Sequence, residues 1–372
     1  MLLALGLGLL AATSAPAPEA APAAVKVPMT LSFGRPTIEL KLNDQGPYRF
    51  LFDTGSGAGL IIDEDLANAL SLAPSGTRRI GDPNTPEAIE AKLLNVDRVQ
   101  CGELTLRSVE TISWKRDILG PEAPRGVVGL GLFAPRPVTI DGDGGSITIE
   151  PAPLPEPDGK TVLKASFDDG IPSVPIDVAG TPFKAHLDSG STGFIGLPLS
   201  AADKLPLDGP PHQVGRARTA SGDYPVLEAG LNGTVRIGSL TLDKPKIRFV
   251  DLPQANIGGD LLRSLVVTVD RAHERVRLVS NGKPMAPTER PRLGIMTHGV
   301  AEGKLPVEKV VPGSPAEAAG VKEGDQITKL NGRPVGELSF SEIGQLFQFR
   351  PLVISVIRDG APVDVTVGGS AK

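Results

Sequence analysis

Asp53 and Asp188 stand 135 positions apart, each between an apolar strand and a turn of Thr or Ser, Gly and Ser. The first loop reads Leu51-Phe52-Asp53-Thr54-Gly55-Ser56-Gly57 and the second His186-Leu187-Asp188-Ser189-Gly190-Ser191-Thr192-Gly193. One such loop is an ordinary turn. Two facing each other would hold two carboxyls close enough to share a proton. Carboxylates ~3 Å apart do not both ionise readily, so one keeps its proton while the other stays charged. The charged member can take a proton from water, and the protonated member can give one to an oxygen on which charge develops. Such a pair titrates as a unit.

Elements that would position the pair are duplicated with it. Leu94-Asn95 matches Leu231-Asn232, and Gly102-Glu103-Leu104-Thr105-Leu106 matches Gly238-Ser239-Leu240-Thr241-Leu242. Val127-Val128-Gly129 lines up with Asn256-Ile257-Gly258, and Val138-Thr139-Ile140-Asp141 with Val267-Thr268-Val269-Asp270. Ordered matches with small drifts in spacing make two copies of one unit of roughly 125 residues. Ile38–Leu42 and Ser146–Glu150 alternate apolar and polar residues, the period of a half-buried strand. Asp141-Gly142-Asp143-Gly144-Gly145 predicts a hairpin turn, which the second copy replaces with Asp270-Arg271-Ala272-His273-Glu274. Short helices are expected at 63–72 and 201–205. The sum is two β lobes with a cleft between them.

Residues 26 to 282 resemble the pepsin and retropepsin superfamily of aspartic peptidases. The resemblance rests on the apolar strand, Asp-Thr/Ser-Gly-Ser and the later apolar-apolar-Gly element, Val127-Val128-Gly129. In the second copy Asn256-Ile257-Gly258 keeps only one of the two apolar residues. Each lobe is similar to a retropepsin subunit, and having both in one chain is similar to pepsin. The resemblance implies a catalytic pair, Asp53 and Asp188, that hydrolyses peptide bonds of extended polypeptides. It also implies that Thr54 and Ser189 send their hydroxyls to the opposing loop, and that Ser56 and Ser191 hydrogen-bond the outer carboxylate oxygens. Gly55 and Gly190 would allow close backbone approach. Pepsin-like enzymes carry a flap tyrosine, which the first-lobe flap region, 80–91, lacks. In the second lobe the flap candidates are Ser221, Gly222 and Tyr224, with Tyr224 equally readable as a plain strand residue.

From Pro291 the pattern changes. Leu293-Gly294-Ile295, Pro312-Gly313-Ser314-Pro315-Ala316, Gly324-Asp325-Gln326-Ile327 and Leu330-Asn331-Gly332 resemble the PDZ domains of bacterial envelope proteases. That resemblance implies a groove for an extended C-terminal peptide, with Leu293, Gly294 and Ile295 at the carboxylate-binding turn. A helix is expected at 340–349 and a strand at 352–358. The alternative is a packing module whose groove the chain itself fills.

The first fifteen residues are apolar and end in small residues, the form of a signal peptide without the usual leading cation. This predicts export to the periplasm or secretion, with an uncleaved anchor as the variant. Expected boundaries are 1–15 signal peptide, 16–25 Ala/Pro-rich spacer, 26–155 and 156–282 the lobes, 283–290 a linker and 291–370 the PDZ domain. The expected fold class is mainly β: a bilobal acid-protease-type β-barrel pair plus a PDZ domain, itself a partly open barrel with helices. A lone Cys101 permits no intramolecular disulfide, and the four histidines are dispersed without metal-ligand spacing. No metal and no organic cofactor is expected. A net charge of −5 without a basic tract argues against nucleic acid. With both lobes in one chain, a monomer can build the site. The rival expectation is a catalytically weak or inactive bilobal peptide-binding protein of the cell envelope.

Overall fold

In Arg35–Leu42 the apolar Ile38, Leu40 and Leu42 face inward while Glu39 and Lys41 face solvent, so the alternation in the sequence fixes the buried face of the sheet. A computed structural model describes residues 23–32, 34–80, 89–114, 124–142, 144–219, 222–287, 293–297, 300–338, 340–347 and 351–368. The amino-terminal apolar segment therefore lies outside the described residues, and Val25–Pro28 is already a strand.

The architecture is mainly β. An eight-stranded sheet forms the first lobe and a nine-stranded sheet the second. A six-stranded sheet joins them, in the order Val25–Pro28, Ser146–Ile149, Val138–Asp141, Leu265–Asp270, Arg275–Ser280 and Val162–Lys164. At its centre the two sequence-equivalent strands pair antiparallel, Thr139 opposite Thr268 and Val138 opposite Val269. The two threonine hydroxyls lie 2.9 Å apart. Equivalent residues that meet each other mark a local two-fold axis, so the repeat in sequence is a symmetry in space. One apolar core runs through both lobes; a second, around Leu293, Ile327, Leu330 and Ile354, belongs to the carboxy-terminal domain.

Both expected hairpins form, Val138–Asp141 with Ser146–Ile149 and Leu265–Asp270 with Arg275–Ser280. The helix expected at 63–72 is shorter, Glu64–Ala69. Asp63 caps it by accepting from the Leu66 amide at 2.9 Å, and takes a two-pronged hydrogen bond from Arg125 at 2.6 and 3.1 Å. That bond ties the helix start to Gly126–Val128, a neighbour of the Asp53 strand. At 201–205 the chain makes a 3-10 turn, Leu199–Lys204, rather than an α-helix. Pro198 offers no side-chain cap, and Pro206 follows closely.

In the carboxy-terminal domain Leu305–Pro306, Gln326–Leu330, Leu352–Arg358 and Ala361–Val367 form a sheet in that order, with Arg333–Pro334 also paired to Gln326–Leu330. Ile295–Met296 pairs with Lys309–Val310. The helix expected at 340–349 runs over Phe340–Leu346. The linker is less independent than its proline content suggests: Ser264 donates to the Pro284 carbonyl at 2.9 Å, and Met285 packs against the two-lobe core. Among the described residues no helix is long and apolar enough to cross a membrane.

Candidate active site between the lobes

Asp53 follows the strand Gln45–Phe52, which runs parallel to Gly126–Val128; Asp188 ends the strand Thr181–Asp188, which runs parallel to Ala255–Gly258. The Asp53 amide donates to Val128 O at 2.8 Å, fixing the first carboxyl against its apolar-apolar-Gly element. Gly129 and Gly258 cannot be larger. A Cβ at Gly129 would strike Ala58 O, and one at Gly258 would strike Gly193 O.

The two turns grip each other reciprocally. Thr54 Oγ1 donates to Leu187 O at 2.6 Å and accepts from the Ser189 amide at 2.9 Å. Ser189 Oγ donates to Phe52 O at 2.9 Å and accepts from the Thr54 amide at 3.0 Å. Both residues are buried, so every one of these backbone groups would otherwise lack a partner. Serine in place of threonine keeps the second half of the grip intact.

The grip brings the carboxyls of Asp53 and Asp188 into hydrogen-bond contact. Gly55 and Gly190 are required crosswise. A Cβ at Gly55 would lie 2.8 Å from Asp188 Cγ, and one at Gly190 would lie 2.5 Å from the Asp53 carboxyl. Asp53 Oδ1 accepts from the Gly55 amide at 2.8 Å and from the Gly190 amide at 3.2 Å. Asp188 Oδ1 accepts from the Ser191 amide at 2.8 Å. The serine hydroxyls do not do what the resemblance implied. Ser56 Oγ donates to Ala58 O at 3.2 Å, and Ser191 Oγ accepts from the Gly193 amide at 3.1 Å. Each is captured by a backbone group two residues on, a short-range bond that serine forms readily. Ser191 supports Asp188 through its backbone amide instead.

A residue not singled out from the sequence completes the set. Asn256 Nδ2 donates to Asp188 Oδ2 at 2.9 Å. Asn256 stands opposite His186 in the parallel ladder, where the first lobe places Val127 opposite Leu51. The signal was the polar residue that broke the apolar-apolar-Gly pattern. Asp188 thus has a donor on each carboxylate oxygen. Around Asp53, burial, then the charge of Asp188, pushes the carboxyl up to about 7 against the opposing pull of the Gly55 and Gly190 amides. Part of the residue still faces the cleft, but its carboxyl sits in a well of protein atoms.

Two hairpins occupy the flap positions. In the first lobe Pro74–Ile80 pairs with Ile89–Cys101, and in the second His212–Thr219 pairs with Gly222–Gly230. Ser221 lies outside the described residues, as do 81–88. Gly222 opens the returning strand opposite Thr219, and Tyr224 is a half-buried strand residue opposite Ala217.

Comparison with known families agrees with this geometry. The family model described as aspartyl protease matches residues 38–130 and 174–265, and the one described as PDZ domain matches 307–358. The chain thus carries two aspartyl-protease regions followed by a PDZ domain. A stretch of 63 residues is also 36% identical to the periplasmic serine endoprotease DegP of Escherichia coli, in strain K12 and in O157:H7. That stretch is 16% of this chain and 13% of the relative, so the chain spans about an eighth of the DegP length.

In the PDZ domain Leu293 is buried and Ile295–Met296 forms the strand that follows the turn expected to bind a carboxylate. Gly294 has φ 83°, and a Cβ there would strike Ser314. Its carbonyl accepts from the Val311 amide at 2.8 Å, and that of Leu293 from the Ala316 amide at 2.9 Å. The turn expected at Leu293, Gly294 and Ile295 is thus held from behind by Val311 to Ala316. Cys101 is fully buried, and burial pushes its thiol up to about 12, so it behaves as a small apolar side chain. Among the described residues no His, Cys, Asp and Glu cluster suited to a metal ion is present.

Proposed function

We propose that the chain is an aspartic endopeptidase in which Asp188 is the general base and Asp53 the general acid. The observation that carries this is the reciprocal grip of Thr54 and Ser189, which sets the two carboxyls in contact with unequal surroundings. Ionised Asp188 takes a proton from water as the oxygen attacks the peptide carbonyl carbon, and Asp53 gives its proton to the carbonyl oxygen. In the collapse of the resulting gem-diol, Asp53 takes back a hydroxyl proton. Asp188 then gives its proton to the departing amine nitrogen as the C–N bond breaks. Both carboxyls end as they began, and water is the only co-reactant.

The PDZ domain binds the C-terminal peptide of a substrate or partner. The apolar amino-terminal segment and the likeness to a periplasmic protease support an exported protein of the cell envelope. One chain carries both halves of the site, which supports a monomer.

The test is cleavage of a mixed peptide library between about pH 4 and 7, the span over which such a pair is singly protonated. Cuts made by the wild type and absent from folded Asp53→Asn and Asp188→Asn support the dyad. Retained cleavage in either variant overturns it. The rival, a bilobal peptide-binding protein without catalysis, draws on a first-lobe flap sequence with no tyrosine. Binding of a statine-type transition-state mimic, lost in both variants, would favour the enzyme.

A further inference from the structure

The PDZ groove does not open on to solvent alone. A cleft of about 1410 Å³ lies between the PDZ domain and the second lobe. On one side are the turn and strand Leu293 to Thr297 and, from the flanking helix, Ile343 and Phe347. On the other are Phe194, Val214 and the run Thr241 to Lys246, with Glu228 and Arg248. The two sides touch. Gln213, on the second-lobe hairpin, accepts from Lys309 Nζ at 2.6 Å and its amide nitrogen lies 4.0 Å from Met296 Sδ. Met296 belongs to the strand on which a PDZ ligand would align.

The chemistry of the walls is divided. Among the described residues, every lining residue from the PDZ domain is uncharged, and every charged one comes from the second lobe. Lys244, Lys246 and Arg248 there face two carboxylates, Glu228 and Asp243. Glu228 is engaged by Arg248 at 3.3 Å and by Lys246 at 3.7 Å. Lys244 is exposed at a turn and has no ion-pair partner among the described residues. The second-lobe wall therefore carries three cations against two carboxylates, with Lys244 exposed. Its volume exceeds a drug-sized pocket of roughly 300–1,000 Å³ and suits several residues of extended chain.

We infer that the second lobe forms the far wall of the PDZ peptide site, and that this composite cleft selects C-terminal peptides with acidic residues upstream of an apolar end. The inference rests on the peptide-binding reading of the PDZ domain given above. The terminal residues align on Ile295 to Thr297 and fill the apolar half against Ile343 and Phe347. An extended chain advances about 3.3 Å per residue, so the fourth and earlier residues from the end pass on to the lysine wall. Glutamate or aspartate there meets Lys244 and Lys246; lysine there is repelled. The aspartyl-protease lobe thereby contributes specificity at a site distinct from its own dyad.

The test measures binding by fluorescence anisotropy to the full chain carrying Asp53→Asn, which prevents cleavage of the probe. The probes are fluorescein-labelled decapeptides ending in valine, with either Glu or Lys at positions four to seven from the end, each as free acid and as carboxamide. The acidic free acid should bind about tenfold more tightly than its lysine counterpart, the preference expected of two exposed lysines acting together. In Lys244→Gln/Lys246→Gln the preference should fall to within about twofold, and in wild-type lysines it should shrink as salt rises. Equal binding of acidic and basic free acids, or a preference that survives the double variant, overturns the composite cleft while leaving the PDZ reading intact. Carboxamides that bind as well as free acids remove the PDZ reading itself, and no binding by any probe removes both.

Discussion

Asp53 and Asp188 are the same residue type on equivalent strands, yet their surroundings set them apart. Burial and the neighbouring charge hold the Asp53 proton to about pH 7. Between the ordinary value of 3.8 and about 7 the native state binds more protons at Asp53 than the unfolded state, so this group makes folding less favourable as pH rises through that window. Asp53→Asn removes the penalty and should stabilise the protein at pH 8 relative to wild type by roughly 2–4 kcal/mol, with little difference at pH 4. Urea unfolding at the two pH values checks it; equal differences at both would show that Asp53 is not the proton holder. Hydrolysis by the wild type should also decline above about pH 7 as that proton is lost. Asn256 makes the other half of the asymmetry. Asn256→Val would copy the first lobe's Val127 and leave Asp188 Oδ2 without its donor at 2.9 Å. Losing a hydrogen bond to a charged acceptor costs roughly 1.5–3 kcal/mol, so kcat/KM should fall at least about tenfold. A kcat/KM that stays within about twofold of the wild type would reduce Asn256 to a packing role.

At the scale of elements, the site exists because two turns are locked through each other's backbone. Ser189→Ala would strip partners from Phe52 O and the Thr54 amide, both within the buried grip. Unsatisfied buried groups cost about 1–3 kcal/mol each. The expected loss is roughly 2–4 kcal/mol in urea unfolding, together with most of the activity, whereas Ser189→Thr should retain both. Equal stability of the alanine variant would mean that the grip does not hold the lobes in register. These elements were largely legible in the sequence. The repeat predicted the paired hairpins, and the family resemblance implied close backbone approach at Gly55 and Gly190, which in the structure runs crosswise to the opposite aspartate. What escaped was the choice of hydrogen-bond partner for individual side chains. The hydroxyls of Ser56 and Ser191 turn to carbonyl and amide groups two residues on, and no periodicity distinguishes that from a bond to a carboxylate. Asn256 is 68 positions from the carboxylate it serves, and only its break in an apolar pattern hinted at it. The Leu199–Lys204 turn fell short of a helix because prolines bracket it and no side chain caps it.

At the scale of the molecule, one two-fold axis through Thr139 and Thr268 unites the lobes, and the PDZ domain breaks that symmetry by leaning on one of them. Its Lys309 holds Gln213 at a point where the hairpin ladder shifts register, between Gln213 and Gly215. A bulge is where a strand is easiest to bend, so a contact there governs how freely the whole hairpin opens. The first-lobe hairpin has its own register shift between Pro74 and Gly76, without such a brace among the described contacts. Lys309→Ala should therefore release the second-lobe hairpin alone. Removing one charge-assisted bond at a partly buried site corresponds to ~1.4 kcal/mol of local opening, or about tenfold faster amide exchange. Hydrogen exchange followed by mass spectrometry should show that acceleration in peptides covering 212–219 and 222–230, with 74–80 and 89–101 unchanged. Exchange that rises in both hairpins would point to general loosening, and exchange that rises in neither would mean the PDZ domain rests on the lobe without restraining it. With the expected outcome, the PDZ domain sets the mobility of a strand pair of the second lobe, and Lys309 is a residue through which the two are joined.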